Sequence, residues 1–94
     1  MVFNISYDLN KPCQDYEELY EAIKELGSWW HYLDSTWLVS TNLNASQIFS
    51  KLKEHIDAND NILVISVGND YSGWLPKKAW EWIKDKLSTV ASYY

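Results

Sequence analysis

Asp8 is the side chain of this sequence whose position best suits metal chemistry. It directly follows residues 2–7, whose alternating pattern predicts a half-buried strand, and Asn10 lies two residues further on. A strand-end carboxylate can hold a hard divalent cation such as Mg²⁺ or Mn²⁺, although one carboxylate alone makes a weak site. A two-fold homodimer with both copies of Asp8 face to face would supply the second carboxylate. Spacing alone favours the simpler interpretation, an ordinary strand-end aspartate.

A second group of oxygen-bearing side chains has part of a calcium-loop pattern. Asp57, Asn59 and Asn61 match the first ligand positions of such a loop. The pattern then fails, because Ile62 occupies the position that requires glycine and Gly68 the position of the closing glutamate. A polar turn is the expected structure.

Nucleophilic chemistry has weaker support. His31, Asp34 and Ser35 are the residue types of an acyl-transfer site, but the G-x-S-x-G turn that exposes a nucleophilic serine is absent from the sequence. Chance proximity is therefore the better interpretation. Cys13 has no second cysteine to pair with, and Lys11 is its nearest basic neighbour in sequence, so nothing indicates an activated thiol.

The elements that must position these residues follow from hydrophobic periodicity and capping signals. The periodicity predicts strands at residues 2–7, 29–32, 36–40 and 62–67, with helices at about residues 16–26 and 45–56. Asn44 and Gln47 form a predicted capping box, and Gly27 is the predicted C-cap of the first helix. The last strand segment is almost continuously apolar, which is typical of a strand covered on more than one side.

This order predicts an α+β fold of the ferredoxin-like βαββαβ type, a four-stranded antiparallel sheet with two helices on one face. Residues 1–94 form a single predicted domain, and residues 76–92 form an appended C-terminal helix that begins at Pro76. That helix can cover the second face of its own sheet, the same face of a neighbouring copy, or a sheet edge. The sequence leaves these three alternatives open.

Composition limits the partners. The chain of 94 residues has a formal net charge of -5, and all 8 of its basic residues are lysine. The acidic balance and the lack of arginine disfavour a nucleic-acid surface, although they do not exclude one. No apolar run approaches the roughly 20 residues that a membrane-spanning helix needs. The single cysteine favours the cytoplasm, as does an N-terminal segment without the charged start and apolar middle of a signal peptide.

Aromatic residues are unusually frequent, at 16% of the chain with six tryptophans. A small domain has difficulty burying so many large rings, so some are expected at an interface. The predicted interaction surface consists of Trp74, Trp82, Tyr93 and Tyr94, since aromatic side chains commonly anchor protein partners.

Three short segments together resemble small, largely uncharacterised bacterial proteins labelled as the SinR family: residues 5–10, 26–28 and 34–37. The resemblance covers about residues 1–84. That group is similar in turn to the small ferredoxin-like subunit of the CRISPR spacer-acquisition machinery and to virulence-associated protein D. This remoter similarity consists of strand order, chain length, and Tyr7 followed by Asp8 at the end of the first strand.

The remoter resemblance implies a homodimer. In active members it also implies a metal-dependent ribonuclease or deoxyribonuclease whose first-strand aspartate lies at the dimer interface. Asp8 matches that residue, which makes it the candidate catalytic residue and the ligand of Mg²⁺ or Mn²⁺. The sequence departs from these families in lacking arginine and a basic surface.

The expectation is therefore a homodimeric accessory protein of bacterial or phage origin, similar to the CRISPR adaptation subunit or to a toxin, with metal-dependent nuclease activity through Asp8. The alternative is a non-catalytic protein-interaction module that uses exposed tryptophan and tyrosine side chains.

Overall fold

A computed structural model describes residues 1–9 and 16–91 of the chain. Four strands and three α-helices follow one another in the described segments: β1 (Val2–Asp8), α1 (Glu17–Lys24), β2 (Ser28–His31), β3 (Thr36–Ser40), α2 (Ala45–Leu52), β4 (Asn61–Val67) and α3 (Lys77–Ala91). A short 3₁₀ turn, Lys53–His55, extends α2. The predicted order of elements is confirmed as far as α3.

The four strands form one antiparallel sheet in the order β2-β3-β1-β4. β1 lies in the interior of the sheet, where Ile5 is opposite Trp37 of β3 and Val64 of β4. The sequence adopts this arrangement because the odd-numbered residues of β1 are apolar or aromatic and all lie on one face. The predicted α+β class with a four-stranded antiparallel sheet is confirmed.

The main core lies between this face and helices α1 and α2. Apolar residues of each helix recur at helical spacing, so one side of each helix is buried against the sheet. Burial of a large aliphatic side chain such as Ile5 contributes about 1.5–3 kcal/mol relative to exposure. The fully buried members of this core are Ile5, Leu19, Ile23, Val39, Ile48 and Leu52.

The predicted cap is present at α2 but not at α1. The capping box of α2 is confirmed, because Gln47 N donates to Asn44 Oδ1 at 2.9 Å and Asn44 N donates to Gln47 Oε1 at 2.9 Å. Gly27 as C-cap of α1 was wrong, since the helix ends at Lys24 with Glu25 as its cap. Gly27 is needed for another reason: a Cβ at this position would collide with the backbone carbonyl of Ser40 on β3.

The prediction that β4 is covered on more than one side was also wrong. Ile62 and Val64 are half-buried under the helices, whereas Leu63 and Ile65 are 56% and 51% exposed on the opposite face. The reason is position in the sheet. β4 is a terminal strand, and α3 packs against the second face only where it reaches Val67.

The C-terminal helix α3 packs on the sheet of its own chain, which is one of the three alternatives that the sequence left open. It covers one end of the second face, where Val2, Ile83 and Leu87 form a small buried cluster. Leu38 and Val67 contribute to the same cluster from neighbouring strands. The helix begins one residue after the predicted Pro76, and the predicted last residue, 92, lies outside the described part of the chain.

Candidate functional site

The sheet has one face packed against α1 and α2 and a second face that we call the open face. On β1 the open face carries the even-numbered residues, because side chains alternate along a strand. The cross-strand register places Leu63 opposite Ser6 and Ile65 opposite Asn4 on this face. α3 packs at the end of the sheet that contains Val2. At the other end Asp8 and Leu63 are exposed, so we call that end the accessible half of the open face.

Asp8 is an exposed residue at the end of β1. It lies on the open face, and its register partner on β4 is Asn61. Among residues 1–9 and 16–91, no group of three or more histidine, cysteine, aspartate or glutamate residues is arranged to hold a metal ion. The described residues of one chain therefore do not by themselves form a complete ligand set for the Mg²⁺ or Mn²⁺ ion that the family resemblance implies.

The centre of the open face carries a strip of neutral polar side chains. The hydroxyl of Ser6 donates to Asn4 Oδ1 at 2.6 Å, and its oxygen lies 3.3 Å from the hydroxyl oxygen of Thr36. These groups satisfy one another, so the strip needs no ion or buried charge to be stable. It provides donors and acceptors beside the apolar side chains of β4, a mixture that is common in protein-binding surfaces.

Leu63 and Ile65 form the apolar part of the open face. Their side chains are on the same side of β4, two residues apart, and each is more than half exposed. They were not predicted to be exposed, because the almost continuous apolar run of β4 predicted a strand covered on more than one side. No local signal distinguishes them, since an apolar run has the same pattern in a covered strand and in an edge strand.

The densest group of aromatic rings lies under the helices instead of on the open face. Trp37 is only 2% exposed, and its ring is stacked on His31 with centroids 3.8 Å apart and an interplanar angle of 12°. Trp29 and Tyr20 complete the cluster, with ring centroids 5.3 Å and 6.2 Å from that of Trp37. The buried members of this cluster therefore stabilise the fold, which reduces the number of rings that remain for an interface.

A polar contact ties this aromatic cluster to β1. Trp37 Nε1 donates to the hydroxyl oxygen of Tyr7 at 3.0 Å, which satisfies a buried indole N–H. Burial raises the pKa of Tyr7 above its usual value, because removal from water disfavours the charged phenolate. At neutral pH Tyr7 is therefore a neutral hydrogen-bonding residue.

His31 and Asp34 come together, as the interpretation of the hairpin allowed, but not in a catalytic arrangement. His31 Nε2 lies 3.1 Å from the backbone carbonyl oxygen of Asp34. A catalytic triad requires a carboxylate beside the imidazole and a hydroxyl on its other side. In this structure the imidazole contacts a backbone oxygen and a tryptophan face, which agrees with a structural role.

The turn with Asp57, Asn59 and Asn61 is organised by Asp60, which is not among the positions that match a calcium loop. The buried carboxylate of Asp60 accepts from the hydroxyl of Tyr16 at 3.1 Å and from the backbone N–H of Asp57 at 3.0 Å. These contacts fix the turn against α1, in agreement with the expected polar turn.

The structure describes two of the four residues of the predicted interaction surface, Trp74 and Trp82. Trp74 is 100% exposed in the segment that precedes α3. Trp82 is half-buried and packs against the cluster of Val2 and Leu87. Tyr93 and Tyr94 lie outside the described residues.

The comparisons with known proteins add no relative. No family model, curated protein or solved structure matches the chain. In the segments that the structure describes, no helix has the length and apolar character needed to cross a membrane.

Proposed function

We propose that this protein is a homodimeric accessory protein that acts by binding. The observation that carries the proposal is the accessible half of the open face, where Leu63 and Ile65 are exposed beside a neutral polar strip. Exposed apolar side chains next to satisfied polar groups are typical of protein interfaces. Fully exposed Trp74 offers a further aromatic anchor.

The proposed fold family is ferredoxin-like. The strand order β2-β3-β1-β4, with α1 between β1 and β2 and α2 between β3 and β4, supports this assignment. We retain as a proposal the relationship to SinR-family proteins, and through them to the CRISPR adaptation subunit and virulence-associated protein D, on the basis of sequence segments 5–10, 26–28 and 34–37. We retain the cytoplasm as the proposed location, because the single cysteine gives no indication of a disulfide-stabilised secreted protein.

The homodimer is tested by mass in solution. Sedimentation equilibrium over a range of chain concentrations should give twice the chain mass of 11.1 kDa at the higher concentrations. A constant mass of one chain throughout the range would contradict the proposal.

The binding role is tested by affinity capture from a bacterial lysate with Trp74→Ala. The variant should lose a protein that the wild type retains, because it removes a fully exposed indole. Tyr32→Ala is the matched control, since Tyr32 is an exposed aromatic residue in a different loop. If the wild type, Trp74→Ala and Tyr32→Ala capture the same proteins, Trp74 is not an anchor for a protein partner. Trp82→Ala is less informative, because that ring also packs in the α3 cluster.

A second candidate function is metal-dependent phosphodiester cleavage through paired Asp8 carboxylates. It is favoured by the exposure of Asp8 on the accessible half of the open face, where a two-fold partner can approach. A bound Mg²⁺ or Mn²⁺ would activate water and neutralise phosphate charge. The role of Asp8 itself would be to hold the ion with one carboxylate from each chain.

Asp8→Asn tests this second function, with Asp34→Asn as control because Asp34 is an exposed aspartate on another loop. The wild type and Asp34→Asn should cleave labelled RNA or DNA in Mg²⁺ or Mn²⁺, and Asp8→Asn should not. Manganese binding measured by electron paramagnetic resonance should be lost in Asp8→Asn alone. Inert wild-type protein that also binds no manganese would eliminate the phosphodiesterase.

A further inference from the structure

No second strand of the described segments pairs with the outer edge of β4. β4 is the last strand in the sheet order, and β1 is its strand partner within the described part of the chain. Its seven residues, Asn61–Val67, include no charged residue and no proline. Natural edge strands usually carry lysine, proline or a bulge that prevents pairing with a second chain. β4 has none of these devices, and its register with β1 is regular throughout.

The direction of the free backbone groups on β4 follows from the hydrogen bonds of β1. Tyr7 N donates to Ser35 O at 3.1 Å and Thr41 N donates to Met1 O at 2.9 Å, so odd-numbered residues of β1 bond towards β3. Even-numbered residues of β1 therefore bond towards β4. Their register partners on β4 are the odd-numbered residues. The N–H and C=O groups that point to the free edge are those of Ile62, Val64 and Ser66.

Exposed apolar side chains border this edge on both faces of the sheet. Leu63 and Ile65 lie on the open face. On the helix side, Phe49 of α2 is 43% exposed and lines a cavity of about 380 Å³ together with Ile56 and Ile62. A strand that paired with β4 would therefore extend the backbone ladder and cover apolar surface on both sides.

We propose that the β4 edges of two copies of this chain pair antiparallel about a two-fold axis at Val64, which joins their sheets into one continuous sheet. The inference rests on the homodimer proposed above and specifies its interface. In this register Val64 is opposite Val64 of the partner subunit, and Ile62 is opposite Ser66 of the partner subunit. All three residues with outward N–H and C=O groups on each strand then find hydrogen-bonding partners.

Self-complementarity is the reason to assign a second copy as the occupant. The residues whose N–H and C=O groups point outward are symmetric about Val64. The register that aligns the two β4 strands over their full length therefore also pairs each outward donor with an outward acceptor. Leu63 lies opposite the partner's Ile65, which matches exposed apolar side chains of similar size. Two chains of net charge -5 repel each other, and an uncharged strand is a contact that adds no local repulsion.

This interface has a consequence for Asp8. Asp8 lies on β1, one strand spacing away from β4. Its register partner on β4 is Asn61, which is three residues from Val64 along the strand. With strands about 4.8 Å apart and a rise of about 3.4 Å per residue, the two Asp8 Cα atoms would be roughly 25 Å apart. Edge pairing therefore excludes one ion shared by both Asp8 carboxylates, and the two dimer arrangements can be distinguished by experiment.

Ser66→Pro tests the edge directly. Ser66 is exposed and its N–H points away from β1, so proline removes an interchain donor without removing a hydrogen bond of the chain's own ladder. We expect the dimer dissociation constant from sedimentation to rise at least about tenfold, with an unchanged circular dichroism spectrum. Ser66→Ala keeps the N–H and should dimerise like the wild type.

Disulfide trapping tests the register. Single-cysteine chains carrying Leu63→Cys or Ile65→Cys, each with Cys13→Ser, are oxidised separately and as a mixture. The mixture should form a disulfide dimer, because positions 63 and 65 are directly opposite across the interface. Each variant alone should not, since diagonal neighbours about 7–8 Å apart exceed the reach of a disulfide.

The outcomes separate this inference from the proposed function. A monomeric wild type would overturn both. A dimer that is unaffected by Ser66→Pro, with Leu63→Cys cross-linking to itself, would overturn edge pairing and leave the homodimer intact. Masses above that of a dimer, together with no disulfide in the mixture of Leu63→Cys and Ile65→Cys, would indicate pairing of β4 with the β2 edge of another copy and would overturn the two-fold arrangement.

Discussion

The two faces of this sheet are built from the same strands but have different exposure. On the helix-covered face, Ile5, Trp37 and Val39 are almost completely buried. On the open face, Leu63 and Ile65 are more than half exposed, and the centre of β1 carries Asn4 and Ser6. The difference shows that the covered face stabilises the single chain, whereas the accessible half of the open face has a composition suited to contact with another molecule.

The largest expected effect comes from replacing one isoleucine by alanine on each face of the sheet. Ile5→Ala should reduce the free energy of unfolding by about 2–5 kcal/mol, because it leaves a cavity in the main core. Ile65→Ala should cost less than about 1 kcal/mol, since its side chain has few partners within one chain. Urea denaturation at equal chain concentration measures both. Equal costs would mean that the open face is fully covered in solution.

A smaller effect is expected where α3 covers the open face. Leu87→Ala should destabilise the protein by about 2 kcal/mol, at the low end for a buried leucine, because its cluster contains few buried residues. Lys84→Ala is the control, since Lys84 is exposed on the same helix. Thermal unfolding and amide hydrogen exchange in α3 should both respond to Leu87→Ala. If the two variants behave alike, α3 is not held on the sheet by this cluster.

The smallest expected effect concerns Tyr7 at the edge of the covered face. Tyr7→Phe removes the acceptor of Trp37 Nε1 and should cost about 1–2 kcal/mol at neutral pH. Burial raises the pKa of Tyr7 above 10.0, so the folded state binds this proton more tightly than the unfolded state. The associated stability is present below pH 10 and is lost as the pH rises through the raised pKa.

Unfolding measured between pH 8 and 11 should therefore show a smaller decline in stability for Tyr7→Phe than for the wild type. Tyr32→Phe provides the control, because Tyr32 is exposed. An identical decline in all three proteins would show that Tyr7 is not responsible.

Structural features were predicted most reliably where all the interacting residues are close together in the sequence. The Asn44 and Gln47 capping box depends on residues three apart, and the structure has it as predicted. The alternation in β1 likewise indicated which residues face the main core. By contrast, Gly27 was assigned to a helix end when its role depends on Ser40, a residue on another strand.

The candidate site was less accessible to sequence reasoning. Asp8 could be selected from its place at the end of β1, and the structure puts it on the accessible half of the open face. Leu63 and Ile65 were missed because a continuous apolar run has the same pattern in a covered strand as in an edge strand. Trp82, a member of the predicted interaction surface, is half-buried against the cluster of Val2, Ile83 and Leu87.

The sequence by itself determined the types and order of the elements and the apolar face of β1, because periodicity and capping act over a few neighbouring residues. Only the tertiary structure decided which residues the second sheet face exposes. That outcome depends on where α3 packs and on the position of β4 at the edge of the sheet. Both are contacts between segments far apart in the chain, and no local pattern encodes them.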